Sequence, residues 1–167
     1  DPAIAIKILE EKLKEKNLLL CLAHTYSGYP MVKQARSMIA EKQFGKIRKI
    51  VGMYPQGWLS TLSEKEGNAQ AAWRTDSSKS GLSGCMGDIG THAAHLAEYI
   101  SGVKISALCA ALNIVVEGRK LDDDGNVLCK FENGASGILM ATQIAAGENN
   151  ALSIQDYGEK GGIEWKQ

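Results

Sequence analysis

The stretch Gly84-Cys85-Met86-Gly87-Asp88-Ile89-Gly90-Thr91-His92-Ala93-Ala94-His95-Leu96-Ala97-Glu98-Tyr99-Ile100-Ser101-Gly102 decides how this chain is read. Its glycine-spaced lead-in runs into a helix predicted to begin near Asp88 and to stop at Gly102. Ile89, Ala93, Leu96, Ala97 and Ile100 recur at helical spacing and form an apolar stripe for a core. Asp88, His92, His95 and Tyr99 recur at i, i+4, i+7 and i+11 and define a second face. A carboxylate, two imidazoles and a phenol on one side of one helix make that face the candidate site.

A helix N-terminus carries partial positive charge, which favours an ionised Asp88 and disfavours a protonated imidazole beside it. Asp88, one turn before His92, opposes the second effect and is placed to hold one ring nitrogen as a donor, leaving the other free. Such a histidine exchanges protons with a substrate hydroxyl near neutral pH. The same residues also read as an N-cap aspartate and two satisfied histidines at the edge of a core. Spacing alone does not separate the two readings.

Working outward, 167 residues suffice for one domain with a buried core. Lys+Arg and Asp+Glu are 19 each, so no net charge draws the chain to nucleic acid or an anionic membrane. No apolar run has the ~20 residues of a membrane helix, and no signal peptide is visible. Cys21, Cys85, Cys109 and Cys129 form no CxxC pair, and Cys21 and Cys109 lie in apolar runs. A reduced, cytoplasmic setting is expected. The chain starts Asp-Pro-Ala without methionine and reads as a piece of something longer.

In the first half, Asp1 and Pro2 open an amphipathic helix over 2–16. Leu18 to His24 is an apolar run predicted as a buried strand. Pro30 begins a helix over 30–43, and 46–58 reads as a strand broken by Pro55 and Gly57. Residues 59–83 read as a long polar loop holding Trp73-Arg74, either a loop anchor with a surface cation or a wall of the pocket above His92.

After the central helix, 104–116 alternates with both faces apolar, so both are expected to be covered, one by helices and one by a second subunit. Asp122-Asp123-Asp124-Gly125 lacks the spaced ligands and final glutamate of a calcium loop and reads as a turn. Strands over 127–131 and 135–144 meet through Asn133-Gly134, a strong hairpin signal. Further strands follow at 151–157 and 163–165. The predicted class is α+β, a mostly antiparallel open sheet with helices packed on one face.

Gly84, Gly87 and Gly90 do not make a dinucleotide fingerprint, because a polar loop precedes them and Asp88 stands where a phosphate would go. They read as positions of close approach. Asp88, His92 and His95 are an alternative divalent-metal set, but two histidines at i and i+3 depart from the H-E-x-x-H pattern, so no metal is assigned. His24 ends its strand within reach of the same pocket.

Gly87-Asp88-Ile89-Gly90-Thr91-His92, with Leu96 and the Tyr99-Ile100-Ser101-Gly102 ending, resembles the D-x-G-x-H segment of the Gfo/Idh/MocA family of NAD(P)-dependent oxidoreductases. His24-Thr25-Tyr26-Ser27-Gly28-Tyr29-Pro30-Met31, Gly45-Lys46-Ile47, Trp73-Arg74, Phe131 to Ala135 and Gly158 to Ile163 resemble the family in the same order. The resemblance implies a sheet like the C-terminal domains of dihydrodipicolinate and glyceraldehyde-3-phosphate dehydrogenases. It implies that residues 1–24 end a cofactor-binding Rossmann domain, and that 25–167 form a substrate-binding and dimerisation domain truncated at its C-terminus. The family's Glu-Lys-Pro lysine and its glycine fingerprint are not in this sequence.

By position, His92 resembles the family's acid/base histidine and Asp88 the aspartate that assists it. Trp73, Arg74, Tyr26 and His95 are implied as substrate-pocket residues, with His95 standing where many members have aspartate. The implied protein is an oxidoreductase that uses NAD or NADP, held mainly by the absent domain, on a sugar, polyol or related hydroxy compound. Homo-oligomerisation through the sheet face is expected, with no nucleic-acid or membrane partner. A non-catalytic ligand-sensing or dimerising module of the same fold is the alternative.

Overall fold

The computed structural model describes residues 2–167 and opens with helix α1 (Pro2–Glu15); the cap assigned to Asp1 lies outside the described residues. After it, 18–24 has no regular secondary structure and pairs with no strand among the described residues, and Leu19 is fully exposed, with Leu20 and Leu22 largely so. This corrects the buried strand expected there. An apolar run becomes a buried strand only beside neighbouring strands, and the described residues offer it none. Cys21 is likewise exposed.

A single 3-10 turn (Thr25–Gly28) leads to α2 (Pro30–Ala40), with proline in its first turn. Strand β1 (Ile47–Pro55) follows. The expected irregular loop is instead folded locally. Asn68 caps α3 (Ala69–Arg74) by accepting from the Gln70 and Ala71 amides, and Asp76 caps α4 (Ser77–Ser80) through the Ser78 amide. Both helices are too short for the apolar periodicity that marks longer ones, which is why the sequence reads as loop.

The central helix begins earlier than its apolar stripe suggests. Met86–Gly90 forms a π-turn that passes into α5 (Thr91–Ser101), and Gly102 ends it in the left-handed region at φ 70°. The remaining strands are β2 (Ile105–Asn113), β3 (Asp124–Phe131), β4 (Ser136–Thr142), β5 (Ser153–Gly158) and β6 (Gly162–Lys166). They form one sheet of order β2-β3-β4-β1-β5-β6, antiparallel except for the parallel pair β1 and β4. The α+β class and the mostly antiparallel sheet are as the sequence indicates.

One face of this sheet is covered. Ile50 and Tyr54 of β1, Val127, Cys129 and Phe131 of β3, and Leu139 and Ala141 of β4 pack beneath Ala93, Leu96, Ala97 and Ile100 of α5 and Val32 and Ala35 of α2. Gly52 lets α5 settle on β1: a Cβ there would stand 2.8 Å from Leu139 Cδ2 and 3.1 Å from Ile154 Cδ1, with Ala93 O beyond. The other face is open, with Leu128, Ile138 and Tyr157 exposed. Strand β2 lies at the sheet edge, and its residues, Cys109 included, are exposed or nearly so. Its apolar alternation thus does not mark a strand covered within this chain on both faces.

The aspartate run is not a turn on the surface. Asp124 starts β3, while Asp122 and Asp123 are buried acceptors of backbone amides. Asp123 takes the Val115 and Val116 amides at 2.8 and 2.9 Å and lies 3.6 Å from the buried Arg119 guanidinium, which also pairs with Glu64. The cluster ties the 59–83 segment to the approach to β3.

One buried acid has no such partners. Asp156 on β5 lies between Ile50 and Ile163 in register, is fully buried, and neither carboxyl oxygen has a hydrogen-bond partner among the described residues. Burial pushes its carboxyl up to about 7. Because the unfolded value is about 3.9, the fold prefers the protonated form, so the cost of ionising Asp156 is absent only below pH ~3, grows as pH rises to ~7, and levels off above. Asp156→Asn is therefore expected to be more stable than the parent at pH 8, by on the order of 1–4 kcal/mol, with most of that advantage gone at pH 4.5 and the rest gone below pH ~3. Urea unfolding at the two pH values checks this; an equal difference at both contradicts it.

Candidate active site

The π-turn and the first turn of α5 carry Asp88 and His92 to a ridge between two cavities. The larger, about 990 Å³, is lined by Leu22, His24, Trp73, Arg74, Asp88, His92 and His95 among others. The smaller, about 410 Å³, is lined by Tyr26, Tyr54, Gln56, Trp58, Gln70, Arg74, Asp88, His92 and Asn150 among others. Arg74, Asp88 and His92 border both. All six residues named from the sequence therefore converge, although Tyr26 lines only the smaller cavity and Trp73 and His95 only the larger.

The geometry corrects the expected role of Asp88. It is no N-cap, since its own amide already donates to Gly84 O at 2.9 Å. Nor does it hold the His92 ring: Asp88 Oδ2 accepts from Arg74 Nε at 3.0 Å and from Gln143 Nε2 at 2.8 Å. Its charge still reaches His92 through space, favouring protonation. Burial and the neighbouring His24 outweigh it, and the His92 value falls below the usual histidine range. His92 Nδ1 is buried without a partner among the described residues.

Arg74 is fixed from several sides. Its Nη1 donates to Gln70 Oε1 at 2.7 Å, and its guanidinium lies 4.1 Å from the Trp73 ring centre. The Arg74–Asp88 pair is about a quarter exposed, so its worth lies in aiming the two groups more than in stability. Trp73, 40% exposed, stands at the rim of the larger cavity with its Nε1 donating to Gln70.

His24 and His95 stack with ring centres 4.0 Å apart and planes 8° apart, and His24 meets His92 edge-on at 5.5 Å. His24 Nδ1 and His95 Nε2 are buried and, among the described residues, unpartnered. Burial lowers the His95 value first, and His24 and His92 lower it further. Among the described residues no group of three His, Cys, Asp or Glu is placed to hold a metal ion. Tyr99 lies away from the cavities, beneath the Arg36 guanidinium at 4.3 Å.

A polar network of which the sequence reading named only Tyr26 floors the smaller cavity. The Tyr26 and Tyr54 hydroxyls are hydrogen-bonded, Tyr54 donates to Asn150 Oδ1 at 2.5 Å, and Gln56 Nε2 donates to the same oxygen at 2.7 Å. Trp58 Nε1 donates to Gln56 Oε1 at 2.9 Å, and Gln143 Nε2 also lies 3.4 Å from that oxygen. Burial raises the Tyr54 phenol, and its bond to Tyr26 raises it further, so it stays protonated. Gln56, Asn150 and Gln143 stand just beyond strand ends, where polar residues read as turns. The break at Pro55 and Gly57 marks a strand end and carries no signal of a site in the sequence.

Comparison with known proteins agrees with this architecture. Residues 32–164 match the family model described as the GFO/IDH/MocA C-terminal domain. The chain is 33% identical over 96% of its length to the uncharacterized oxidoreductase YfiI of Bacillus subtilis, covering 40% of that protein. It is 30% identical over 94% of its length to levoglucosan dehydrogenase of Pseudarthrobacter phenanthrenivorans, covering 44% of it. An inositol dehydrogenase homolog from Azotobacter vinelandii, solved with NAD+, superposes with TM-score 0.90 at 29% identity, covering 96% of this chain and 41% of the other. The same homolog with NADH and myo-inositol gives 0.84 at 28% identity, covering 96% and 40%.

The fold is shared over nearly the whole chain with proteins described as dehydrogenases or oxidoreductases. The chain belongs to the GFO/IDH/MocA C-terminal domain family. It spans about two fifths of the length of the curated relatives it matches.

The imidazole cluster makes a measurable prediction. In an NMR titration, His92 and His95 are expected to protonate below the ordinary histidine range, and His24→Ala is expected to move both midpoints upward. Ordinary midpoints, or none that respond to His24, would contradict the assignment.

Proposed function

We propose that this chain is the substrate-binding half of an NAD(P)-dependent oxidoreductase that oxidises a secondary hydroxyl of a neutral sugar or polyol, with His92 as the acid/base. The observation that carries the reading is the position of His92 on the ridge between two cavities, kept neutral by burial and beside a fixed Arg74–Asp88–Gln143 group. A neutral imidazole is ready to accept a hydroxyl proton.

The substrate class follows from the lining. Gln56, Asn150, Gln70, Tyr26 and Tyr54 offer amide and phenol groups suited to hydroxyls, and Arg74 is already neutralised by Asp88. Trp73 presents a ring face at the rim. The names of the relatives, which include levoglucosan dehydrogenase and an inositol dehydrogenase homolog, support the same class.

For the cofactor, the test is the mouth of the larger cavity. Leu22 and Leu82 stand there 77% and 92% exposed, and Ile4, Ile6, Ile8 and Leu9 of α1 are about half exposed, apolar surface that fits closure by a cofactor-holding domain. On this reading residues 1–24 belong to that domain and 25–167 to the substrate domain. A bound nicotinamide would supply the hydride acceptor. Within this chain, the polar floor orients the substrate, His92 accepts the hydroxyl proton, and the Asp88 charge stabilises the resulting imidazolium.

The open sheet face carries the proposed homo-oligomer, since Leu128, Ile138 and Tyr157 leave an apolar patch uncovered. The four free thiols fit a reducing, cytoplasmic compartment. No helix among the described residues is long and apolar enough to cross a membrane.

Two experiments test these readings in the full-length protein. In NAD(P) reduction assays over a sugar and polyol panel, His92→Ala is expected to lower kcat by about 10²- to 10⁴-fold, and sugar acids are expected to be poor substrates. Inactivity of the parent on the whole panel would favour a non-catalytic module. In sedimentation, Leu128→Asp with Ile138→Asp is expected to yield monomers; an unchanged oligomer would remove the sheet face as the contact.

A further inference from the structure

We propose that Asp122 is a positioning residue for the acid–base pair, a cap delivered to the catalytic turn from the far side of β2. The inference rests on the oxidoreductase reading above and deepens it.

The first amides of a helix have no partner within it, and a side chain just ahead normally supplies one. Here Cys85, at the head of the π-turn, caps nothing with its side chain. Asp122 does so instead. Its Oδ1 accepts from Ser83 Oγ at 3.0 Å and from the Gly84 amide at 2.7 Å, and its Oδ2 accepts from the Met86 amide at 2.8 Å. Its carbonyl accepts from the Cys85 amide at 2.8 Å. Ser83 Oγ extends the grip by accepting from the Gly87 amide at 3.0 Å. Asp122 is 9% exposed, so these charge-assisted bonds meet little competition from water.

The lead-in runs too close to Asp122 to leave room for a side chain at position 84. A Cβ on Gly84 would lie 2.1 Å from Asp122 O, a backbone atom with no room to move. Asp122 is itself immobilised, because its neighbour Asp123 holds two amides and lies against Arg119.

From this fixed start the chain takes a π-turn rather than an α-turn over Met86–Gly90. The wider turn sets the phase between Asp88 and α5. Asp88 thereby meets Arg74 and Gln143 while His92 faces both cavities. Relaxation of the turn by one residue would swing Asp88 by about 100° around the helix axis, away from both partners. Asp122 touches neither cavity-facing atom; it acts through the turn.

The test compares Asp122→Asn, Ser83→Ala and His92→Ala in the full-length protein with NAD(P) and the best substrate of the panel. His92 is faced by Asp88, by His24 and His95, and by the phenols of Tyr26 and Tyr54. Once Asp88 swings away, only the influences that lower its titration remain. Asp122→Asn is expected to lower kcat by about 10- to 100-fold with KM within about threefold, and to move the acid limb of the kcat profile to lower pH. Ser83→Ala is expected to move both in the same direction by less, about three- to fivefold in kcat, and it decides the matter alone should Asp122→Asn fail to fold. A kcat and an acid limb like the parent's, with only the melting temperature lowered, overturn the positioning role. If that result stands beside an inactive His92→Ala, the acid/base reading survives it. An active His92→Ala overturns both.

Discussion

The close seat of α5 on β1 is the constraint from which the rest of the structure follows. Gly52 leaves out the side chain that would collide with Leu139 and Ile154, so Ala93, Leu96 and Ala97 reach the sheet directly. With one face of the helix committed to the core, His92 and His95 must face away from it, toward the entering segment and the cavities. Burial on the apolar side thus aims the polar side. The same seating keeps His92 partly out of water, and that desolvation, more than any hydrogen bond, holds the imidazole neutral.

Around this helix the site is assembled from pieces far apart in the chain. Arg74 comes from α3, Gln143 from the end of β4, Tyr54 and Gln56 from the end of β1, Asn150 from the approach to β5, and His24 and Tyr26 from the entry to the domain. No one segment carries a complete device. Asp88 shows the consequence: its carboxylate is spent on two partners from other elements and influences His92 only through its charge. The absence of a direct bond leaves the imidazole free to change protonation without breaking the frame that holds the cavities apart.

How much of this could be read from the chain depends on range. The apolar stripe of α5, the helix over 30–40, the Asn133-Gly134 hairpin and the α+β class were legible because each rests on local periodicity or a local turn. That six particular residues would gather about one place was also legible, through helical spacing for the histidines and Asp88 and through family resemblance for the others; their roles belong to the proposal. What escaped was long-range. Leu18 to His24 has the composition of a strand but no described strand to pair with, and the helices α3 and α4 are too short to show a period. Asp122, in a run that resembles a turn, is a buried cap for residues 36 to 39 positions earlier. Gln56, Gln143 and Asn150 are ordinary polar residues at strand ends until the fold gathers them.

The central claim is that His92 handles the proton of the reacting hydroxyl. A crystal structure of the full-length protein with nicotinamide cofactor and a sugar or polyol substrate tests it most directly. The account predicts a His92 ring nitrogen about 2.6–3.2 Å from the hydroxyl whose carbon faces the nicotinamide, with Asp88 still bound to Arg74 and Gln143. A substrate whose reacting hydroxyl contacts another acid or base, with His92 remote from it, would contradict the account.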